Sequence, residues 1–308
     1  MQVAGIYEFG GPIEILDVPD PRPLAADEVL IEVKAAGIGN WDEIVRTGGW
    51  DVGASAPMAL GVEASGVVTK VGEEVDGFQP GDEVLCHPLQ LRHQGAWAPL
   101  LIAPASMLAH KPASVPWETA AAFPVPALTA EQVLTEALEL SAGETLLVHG
   151  AGGVTGGLLV QLAALRGAKV LATSGPSSVA RVRQYGAFEV FDYNDPSWPE
   201  QARRAAAEAG ITAAANAARD GSAAALSALV DGGRLATITS DPPSAERGIR
   251  VLNVYVRPDG IQLQRLAEML GKAELTFTVA SSSRLADAGA ALAAVAAGKV
   301  SGAAVVIP

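Results

Sequence analysis

From residue 145 onward, short apolar runs alternate with stretches of helical composition, and this alternation limits the possible folds more than any other feature of the chain. Thr145-Leu146-Leu147-Val148-His149 reads as a strand, and Gly156 to Leu165 as a helix stopped by Gly167. Lys169 to Thr173 is the next strand, and Val179 to Tyr185 the next helix, stopped by Gly186. Glu189-Val190-Phe191, Ala213-Ala214-Ala215 and Arg234 to Ile238 continue the series, with alanine-rich helices between them. Val251 to Val256 reads as a sixth strand, followed by a helix from Gly260 to Leu270. Strands separated by helices build a parallel sheet covered on both faces, so each strand is apolar throughout rather than alternating.

The flanking sequence has another texture. Up to about residue 115 the chain carries short β-like runs such as Val29–Val33 and Ser65–Val71, broken by Gly, Pro and Asp, with one helical stretch around Trp41 to Thr47. This predicts an irregular β domain over residues 1–116, a nucleotide-binding domain over 117–270 that opens with the helical composition of 117–139, and a return to the first domain over 271–308. That return consists of a strand at Leu275–Val279, a helix across Leu285–Ala297 and a terminal strand at Ala303–Ile307. A chain of 308 residues, 49% hydrophobic, has the material for two such cores. Its net charge of −13 argues against sequence-independent binding to nucleic acid or anionic membrane. Cys86 is the single cysteine, so no internal disulfide forms, and a reducing, cytoplasmic setting is expected. The Met1-Gln2-Val3-Ala4-Gly5 start lacks the basic and long apolar stretches of an export signal, and no window is apolar enough to span a membrane.

The junction between the first strand and helix of the alternating region carries His149-Gly150-Ala151-Gly152-Gly153-Val154-Thr155-Gly156-Gly157. Within it, Ala151-x-Gly153-x-x-Gly156 is a variant of the dinucleotide fingerprint with Ala in place of the first Gly. Small residues belong here because the turn is tight, the backbone approaches a pyrophosphate and the helix packs on the strand. The helix N-terminus then offers free N–H groups and a positive dipole end to the phosphates. A tight turn in a Gly/Ala-rich chain is the competing reading; the strand, helix and next strand at the right distances favour the dinucleotide. About twenty residues further on, where an acidic residue would hold the ribose hydroxyl of NAD, stands Ser174. Ser174 does not repel a 2′-phosphate, and Arg181 and Arg183 follow on the next helix, which favours NADP(H). A solvated helix face is the other reading of the two arginines.

Several further segments carry a resemblance. Gly61-Val62-Glu63-Ala64-Ser65-Gly66-Val67-Val68, then Val71-Gly72, Val75, Phe78 and Pro80-Gly81-Asp82-Glu83-Val84, form one signature. Gly95-Ala96-Trp97-Ala98, Ala121 to Ala130, and His149–Gly156 with Val160-Gln161-Leu162-Ala163 follow in order. Together they resemble the zinc-independent quinone oxidoreductase branch of the medium-chain dehydrogenase/reductase superfamily. The resemblance implies an α/β protein with a GroES-like β domain, completed by the C-terminal residues, a Rossmann doubly wound parallel sheet, and an active site in the interdomain cleft. It also implies that Thr129 lies by the nicotinamide. Zinc-dependent relatives place Cys before the first-domain helix, where this chain has Gly39-Asn40, and His before the Glu of the signature, where it has Val62. One cysteine and His87, His93, His110 and His149 do not rebuild a zinc site at these spacings, so no metal is expected. Two departures stand out: Gly39 where relatives carry Asn, and Ile44 where they often carry Tyr, while Asp42, Arg46 and Gly48 are kept. Ser178 aligns with a Lys that relatives direct at the 2′-phosphate, and Gly302-Ala303 replaces a Gly-Lys.

On this reading the chain is an NADPH-dependent reductase that transfers hydride to a quinone or α,β-unsaturated carbonyl, with water as a candidate proton source. The alternative is an NADPH-binding scaffold or sensor with little catalysis, suggested by the missing Asn and Tyr. The expected cofactor-binding set is Gly150, Ala151, Gly152, Gly153, Val154, Thr155, Gly156, Ser174, Ser178, Arg181, Tyr193, Asn216 and Thr239. Asn40, Trp41 and Thr129 form the catalytic set. Asn40 is a hydrogen-bonding group for carbonyl or ribose, and Trp41 and Trp50 either wall the substrate pocket or pack in the core. Val251–Val256, expected at a sheet edge and lacking Lys or Pro, predicts a homodimer joined through that strand. A monomer capped by residues 241–250 is the alternative.

Overall fold

A computed structural model describes residues 1–308, which divide into two compact units: Met1–Leu128 with Arg257–Pro308, and Thr129–Val256.

The first unit is organised by the strand Glu28–Ile38, whose side chains Val29, Ile31, Ala35 and Ala36 are almost wholly excluded from solvent. It pairs antiparallel with Ala64–Val71 and Leu100–Pro104, and its far end, Ala36 to Ile38, pairs with Ala304 to Val306. The C-terminus therefore completes this sheet, as the sequence predicts. The sheet continues through Glu83–Cys86 to Leu108–His110 on one side and to Val279–Arg284 on the other. A second sheet joins Glu14–Asp17, Gln2–Ile6 and Met58–Ala59.

The second unit is a six-stranded, all-parallel sheet in the spatial order Glu189–Asp192, Lys169–Ser174, Thr145–His149, Ala213–Asn216, Arg234–Thr237, Arg250–Asn253. The order reverses between Thr145–His149 and Ala213–Asn216, and such a switch point is where doubly wound sheets bind ligands. Thr145–His149 is buried along its whole length, and the helix Val154–Leu165 hides every residue from Gly156 to Ala163. No helix of the chain is long and apolar enough to cross a membrane.

Four boundaries differ from the sequence reading. The units divide at 128/129 and 256/257, not at 116/117 and 270/271. The helices at the two seams explain this. Trp117–Ala122 is tied to the first sheet by a hydrogen bond from Ser65 Oγ to Trp117 O (2.7 Å), and Gly260–Gly271 lies so close to the Leu108–His110 strand that a Cβ on Gly260 would stand 2.5 Å from Leu108 O. The last Rossmann strand ends at Asn253, with one more bond from Val254 N–H to Thr237 O (2.8 Å), because its partner strand stops at Thr237. Leu275–Thr278 is not a strand. Pairing with Ala303–Ile307 begins only at Val279, and Leu275 and Phe277 serve as packing, the latter edge-on to Phe123 at 5.4 Å.

Candidate functional site

The glycine loop grows directly out of the buried strand Thr145–His149. Gly150 has φ +89°, and a Cβ there would stand 2.8 Å from the backbone N of Ala218, so both conformation and space demand glycine. Gly156 is equally constrained, because its Cβ would come within 2.2 Å of Gly150 O; this is the close approach of helix to loop. Gly153 differs. It is extended (φ −79°, ψ 172°), offers no capping side chain to the helix Val154–Leu165, and a Cβ there would meet only Gly150 O, at 3.5 Å. The chain leaves this spot open while leaving the helix's first N–H groups without a side-chain cap, the arrangement a pyrophosphate needs.

Residues that sequence reasoning missed hold the loop in place. Ala151 N–H donates to Thr173 O (2.9 Å) and Gly150 N–H to Thr173 Oγ1 (3.1 Å). Thr173 Oγ1 is also 2.6 Å from His149 Nδ1. A hydroxyl that accepts from Gly150 has its own proton free to donate to Nδ1, which assigns the His149 ring proton to Nε2. Burial pushes the His149 imidazole down to about 4, Asp241's charge opposing, so it is neutral at pH 7; it stacks on Trp198 at 4.7 Å. The available signal was a Thr at the end of the second strand, beside the turn it must brace.

Beside the loop, the structure brings together five of the expected residues: Gly152, Ser174, Ser178, Arg181 and Tyr193. Arg181 donates to Gly152 O (2.9 Å) and Ser178 Oγ (3.2 Å). A Cβ on Gly152 would lie 3.1 Å from Ser178 Oγ and 3.6 Å from Ser174 Cβ. Ser174 is buried and donates to Gly175 O (3.2 Å). Tyr193, half exposed, lays its ring against Gly175. Arg183 points to solvent, so of the two arginines only Arg181 turns toward the loop.

Asn216, the last residue of the fourth parallel strand in chain order, and Thr239, just past the fifth, belong to one network. Asn216 is fully buried, with Nδ2 at 2.8 Å from both Ser222 Oγ and Thr239 Oγ1. Ser222, Thr237 and Thr239 donate to Asp241 Oδ1 at 2.6, 2.9 and 2.5 Å. Burial works to raise the Asp241 carboxyl, but donation from Ser222, Thr239 and Thr237 outweighs it and holds the group below its ordinary value. Asn216 thus shapes this end of the sheet from behind. Thr129 is buried on the helix Pro124–Gln132.

In the first unit, Asn40 is exposed at the start of the helix Asn40–Arg46. Asp42 is buried beneath it and accepts from Gly39 N–H (2.8 Å); burial pushes its carboxyl up to about 8 against the lowering effect of the backbone N–H groups of Gly39 and Gly61. Glu63, also buried, accepts from Val125 N–H (2.8 Å) and is raised well above its ordinary value by burial, with Asp42 adding to the rise. Burial drives Cys86 up to about 12 and His87 down to about 4, so neither a thiolate nor an imidazolium is present at neutral pH. His87 Nδ1–H donates to Val62 O (2.7 Å). No group of three or more His, Cys, Asp and Glu side chains is gathered so that it could hold a metal ion.

An all-parallel sheet with a glycine turn at its switch point, joined to a β unit closed by the chain's own C-terminus, defines the class of two-unit, dinucleotide-binding dehydrogenases. Residues 25–113 match the alcohol dehydrogenase GroES-like domain family, and residues 185–306 the family described as zinc-binding dehydrogenase. The chain is 31% identical over 216 residues to the quinone oxidoreductase of Rattus norvegicus, covering 68% of this chain and 64% of that protein. It is 30% identical over 251 residues to that of Homo sapiens, covering 78% and 73%. The match thus spans slightly less than two thirds of the rat protein's length. Among solved structures, an NAD-dependent alcohol dehydrogenase superposes with a TM-score of 0.90 at 27% identity, and a mycobacterial protein complexed with NADPH with 0.88 at 27%, each over the whole of both chains. The chain belongs to the quinone oxidoreductase branch of the medium-chain dehydrogenase/reductase superfamily.

Proposed function

We propose that this chain is an NADPH-dependent, zinc-independent reductase that transfers hydride to a quinone or an α,β-unsaturated carbonyl. The observation that carries the reading is the open cradle at Gly153, set at the switch point and flanked by Arg181 rather than by a carboxylate. Gly150 to Gly156 would receive the pyrophosphate on backbone N–H groups, and Ser174, Ser178 and Arg181 the 2′-phosphate. When bound, the dinucleotide supplies the hydride. The protein's part is to fix position: Thr173 holds the loop's first two N–H groups, and the neutral His149 stacked on Trp198 backs that brace.

Zinc independence is supported by the donor set. Gly39 and Val62 have no ligand atoms in their side chains, Cys86 is a buried thiol far from its ionised form, and His87 already commits Nδ1 to Val62 O. Without a Lewis acid to polarise an alcohol, reduction of an already electron-poor conjugated carbon is the chemistry that suits this chain. The experiment is a panel of simple quinones and enones with NADPH and with NADH, with and without chelator. NADPH-dependent turnover insensitive to chelator is expected. Cofactor binding without turnover across the panel would leave the scaffold reading standing instead.

A further inference from the structure

Several carboxylates of the second unit are neutralised by arginines. Glu131 is paired with Arg166, Glu139 with Arg250, Glu144 with Arg234, Glu200 with Arg204, and Asp231 and Glu246 with Arg247. Asp241 has no cation. Its half-buried carboxylate is held by neutral donors alone: Ser222 Oγ (2.6 Å), Thr237 Oγ1 (2.9 Å), Thr239 Oγ1 (2.5 Å) and Asn216 Nδ2 (3.5 Å) on Oδ1, and Ser222 N–H (3.2 Å) on Oδ2. Burial works to raise this carboxyl, and the donors, with Ser222 and Thr239 foremost, outweigh it. The group is therefore an anion at neutral pH, fixed in place by its hydroxyls, with its charge uncompensated by any part of the chain.

Its place in the sheet gives that charge a direction. Asn216 and Thr237 are register partners that close two neighbouring parallel strands, and Asp241 follows just past the second. The same carboxylate is tied to the glycine turn. Ser222, which donates to both of its oxygens, adjoins Gly221, where a Cβ would stand 2.6 Å from His149 Nε2; His149 is the residue from which the turn departs. A doubly wound sheet takes a dinucleotide in two halves, one on each side of the point where the strand order reverses. On the proposed reading, Ser174, Ser178 and Arg181 receive the adenosine half beyond the strand Lys169–Ser174. The nicotinamide half then falls on the other side of the turn, over the ends of Ala213–Asn216 and Arg234–Thr237, where Asp241 stands.

We propose that Asp241 selects between the redox states of the cofactor, its unneutralised carboxylate attracting the positively charged nicotinamide ring of NADP⁺ and not the neutral dihydronicotinamide of NADPH; the proposal rests on the dinucleotide-binding reading above. The two forms share their phosphates and riboses, and their rings differ little in outline, so charge is what a binding site can tell apart. When NADPH gives up a hydride, the hydrogen leaves with both electrons of its C–H bond, those electrons form the new C–H bond of the acceptor, and the ring is left with one positive charge. A site that binds the oxidised form more tightly by some factor shifts the hydride-transfer equilibrium on the protein toward oxidised cofactor by the same factor. Asp241 thereby makes bound NADPH a stronger reductant and NADP⁺ a stronger product inhibitor. Its part is electrostatic; it exchanges no proton and forms no bond with the substrate.

The test is calorimetric titration of the full chain with NADP⁺ and, separately, with NADPH at neutral pH, read as the ratio of the two Kd values. Asp241→Asn keeps an oxygen for the hydroxyls and removes the charge. Its ratio of Kd for NADP⁺ to Kd for NADPH should rise about three- to tenfold over the wild type, the effect of one unit charge within about 10 Å in surroundings between water and a protein interior. Asp241→Glu restores the charge and should bring the ratio back toward the wild type. Asp231→Asn removes an exposed carboxylate before the start of the strand Arg234–Thr237, at the end away from Asp241, and should leave the ratio unchanged; it separates a local charge from the net −13 of the chain. Melting temperatures establish that each variant is folded, and Asp241→Ala serves in place of Asp241→Asn if the latter does not fold. A merely structural role would weaken both forms alike. An unchanged ratio in a folded, uncharged variant, or an equal rise in Asp231→Asn, overturns the proposal and leaves the dinucleotide reading intact, because both forms still bind. If NADH proves the tighter reduced ligand, the same ratio is read with NAD⁺ and NADH. If the wild type binds neither dinucleotide, the reading itself fails and this proposal goes with it.

Discussion

Gly153 and Gly156 stand in the same turn yet are glycine for different reasons, and a substitution tells them apart. At Gly153 the protein itself leaves room, so Gly153→Asp should fold with little change in melting temperature. The carboxylate would then sit at the uncapped helix start and repel a pyrophosphate, weakening NADPH by more than about 100-fold, equivalent to about 2.7 kcal/mol. At Gly156 a Cβ would be driven into Gly150 O, so Gly156→Asp should lose the fold as well as the ligand. Calorimetry and NADPH titration of both variants separate the two cases; an unchanged NADPH Kd in folded Gly153→Asp would move the site elsewhere. On the proposed reading Arg181 carries the cofactor preference. A charge-assisted bond to phosphate is worth about 1.5–3 kcal/mol, so Arg181→Ala should weaken NADPH roughly tenfold or more and leave NADH nearly unaffected, whereas Arg183→Ala should do neither. Equal effects on both cofactors would remove Arg181 from the 2′-phosphate. Asp42 gives a prediction in pH. Its carboxyl goes from 3.8 to about 8 on folding because burial penalises the charge. A raised folded value means that the stability of the neutral form is fully present below 3.8 and is lost as pH rises through about 8. Asp42→Asn keeps an acceptor for Gly39 N–H, so at pH 8 it should melt higher than the wild type, and the difference should shrink toward pH 5. A wild-type melting curve flat from pH 5 to 8 would show that Asp42 is not held neutral.

Among the elements, the four inner Rossmann strands were legible because each is a mostly buried apolar run ended by glycine or a polar turn, a pattern with one reading. The strands of the first unit were read less well, since there the partner decides the boundary. Leu275–Thr278 has strand composition but nothing to pair with, and Ser281–Ser283 has poor composition but pairs with Ala304 to Val306. The dinucleotide turn itself was visible in the spacing of its glycines. The brace behind it was not, because it joins residues of two strands through a hydroxyl and an imidazole whose contact exists only after the sheet has formed. Thr173 tests that brace. Thr173→Val keeps the shape of the side chain but leaves Gly150 N–H and His149 Nδ1 unpaired, and should weaken NADPH by roughly tenfold, equivalent to about 1.4 kcal/mol. Thr173→Ser restores the hydroxyl and should restore affinity. If valine binds NADPH like the wild type while serine does not, the methyl group rather than the hydroxyl is the element that matters.

At the scale of the whole molecule, the strand Arg250–Asn253 is an edge, with one side bonded to Arg234–Thr237 and the other unsatisfied. Val251, Leu252, Val254 and Val256 along it are only partly buried, and Tyr255 is 64% exposed. An apolar edge without lysine or proline invites pairing, and a two-fold axis would join two copies antiparallel and close it. We propose a homodimer formed in this way. The ladder also says which residue to change. Arg250 and Val254 donate inward, to Gly233 O (3.0 Å) and Thr237 O (2.8 Å), so by the alternation of a strand Val251, Asn253 and Tyr255 direct their N–H groups outward. Val254→Pro would remove a bond within the protein's own sheet and lower its stability. Asn253→Pro removes an outward backbone donor and the exposed bond from Asn253 Nδ2 to Tyr255 OH (3.1 Å), but no bond of the sheet, at a position where an edge strand tolerates proline. Sedimentation should find the wild type at twice the chain mass at micromolar concentration, and Asn253→Pro at the chain mass with NADPH binding retained. A wild type that sediments as a single chain under those conditions, or an Asn253→Pro protein that remains dimeric, would place the joint on another surface or remove it altogether.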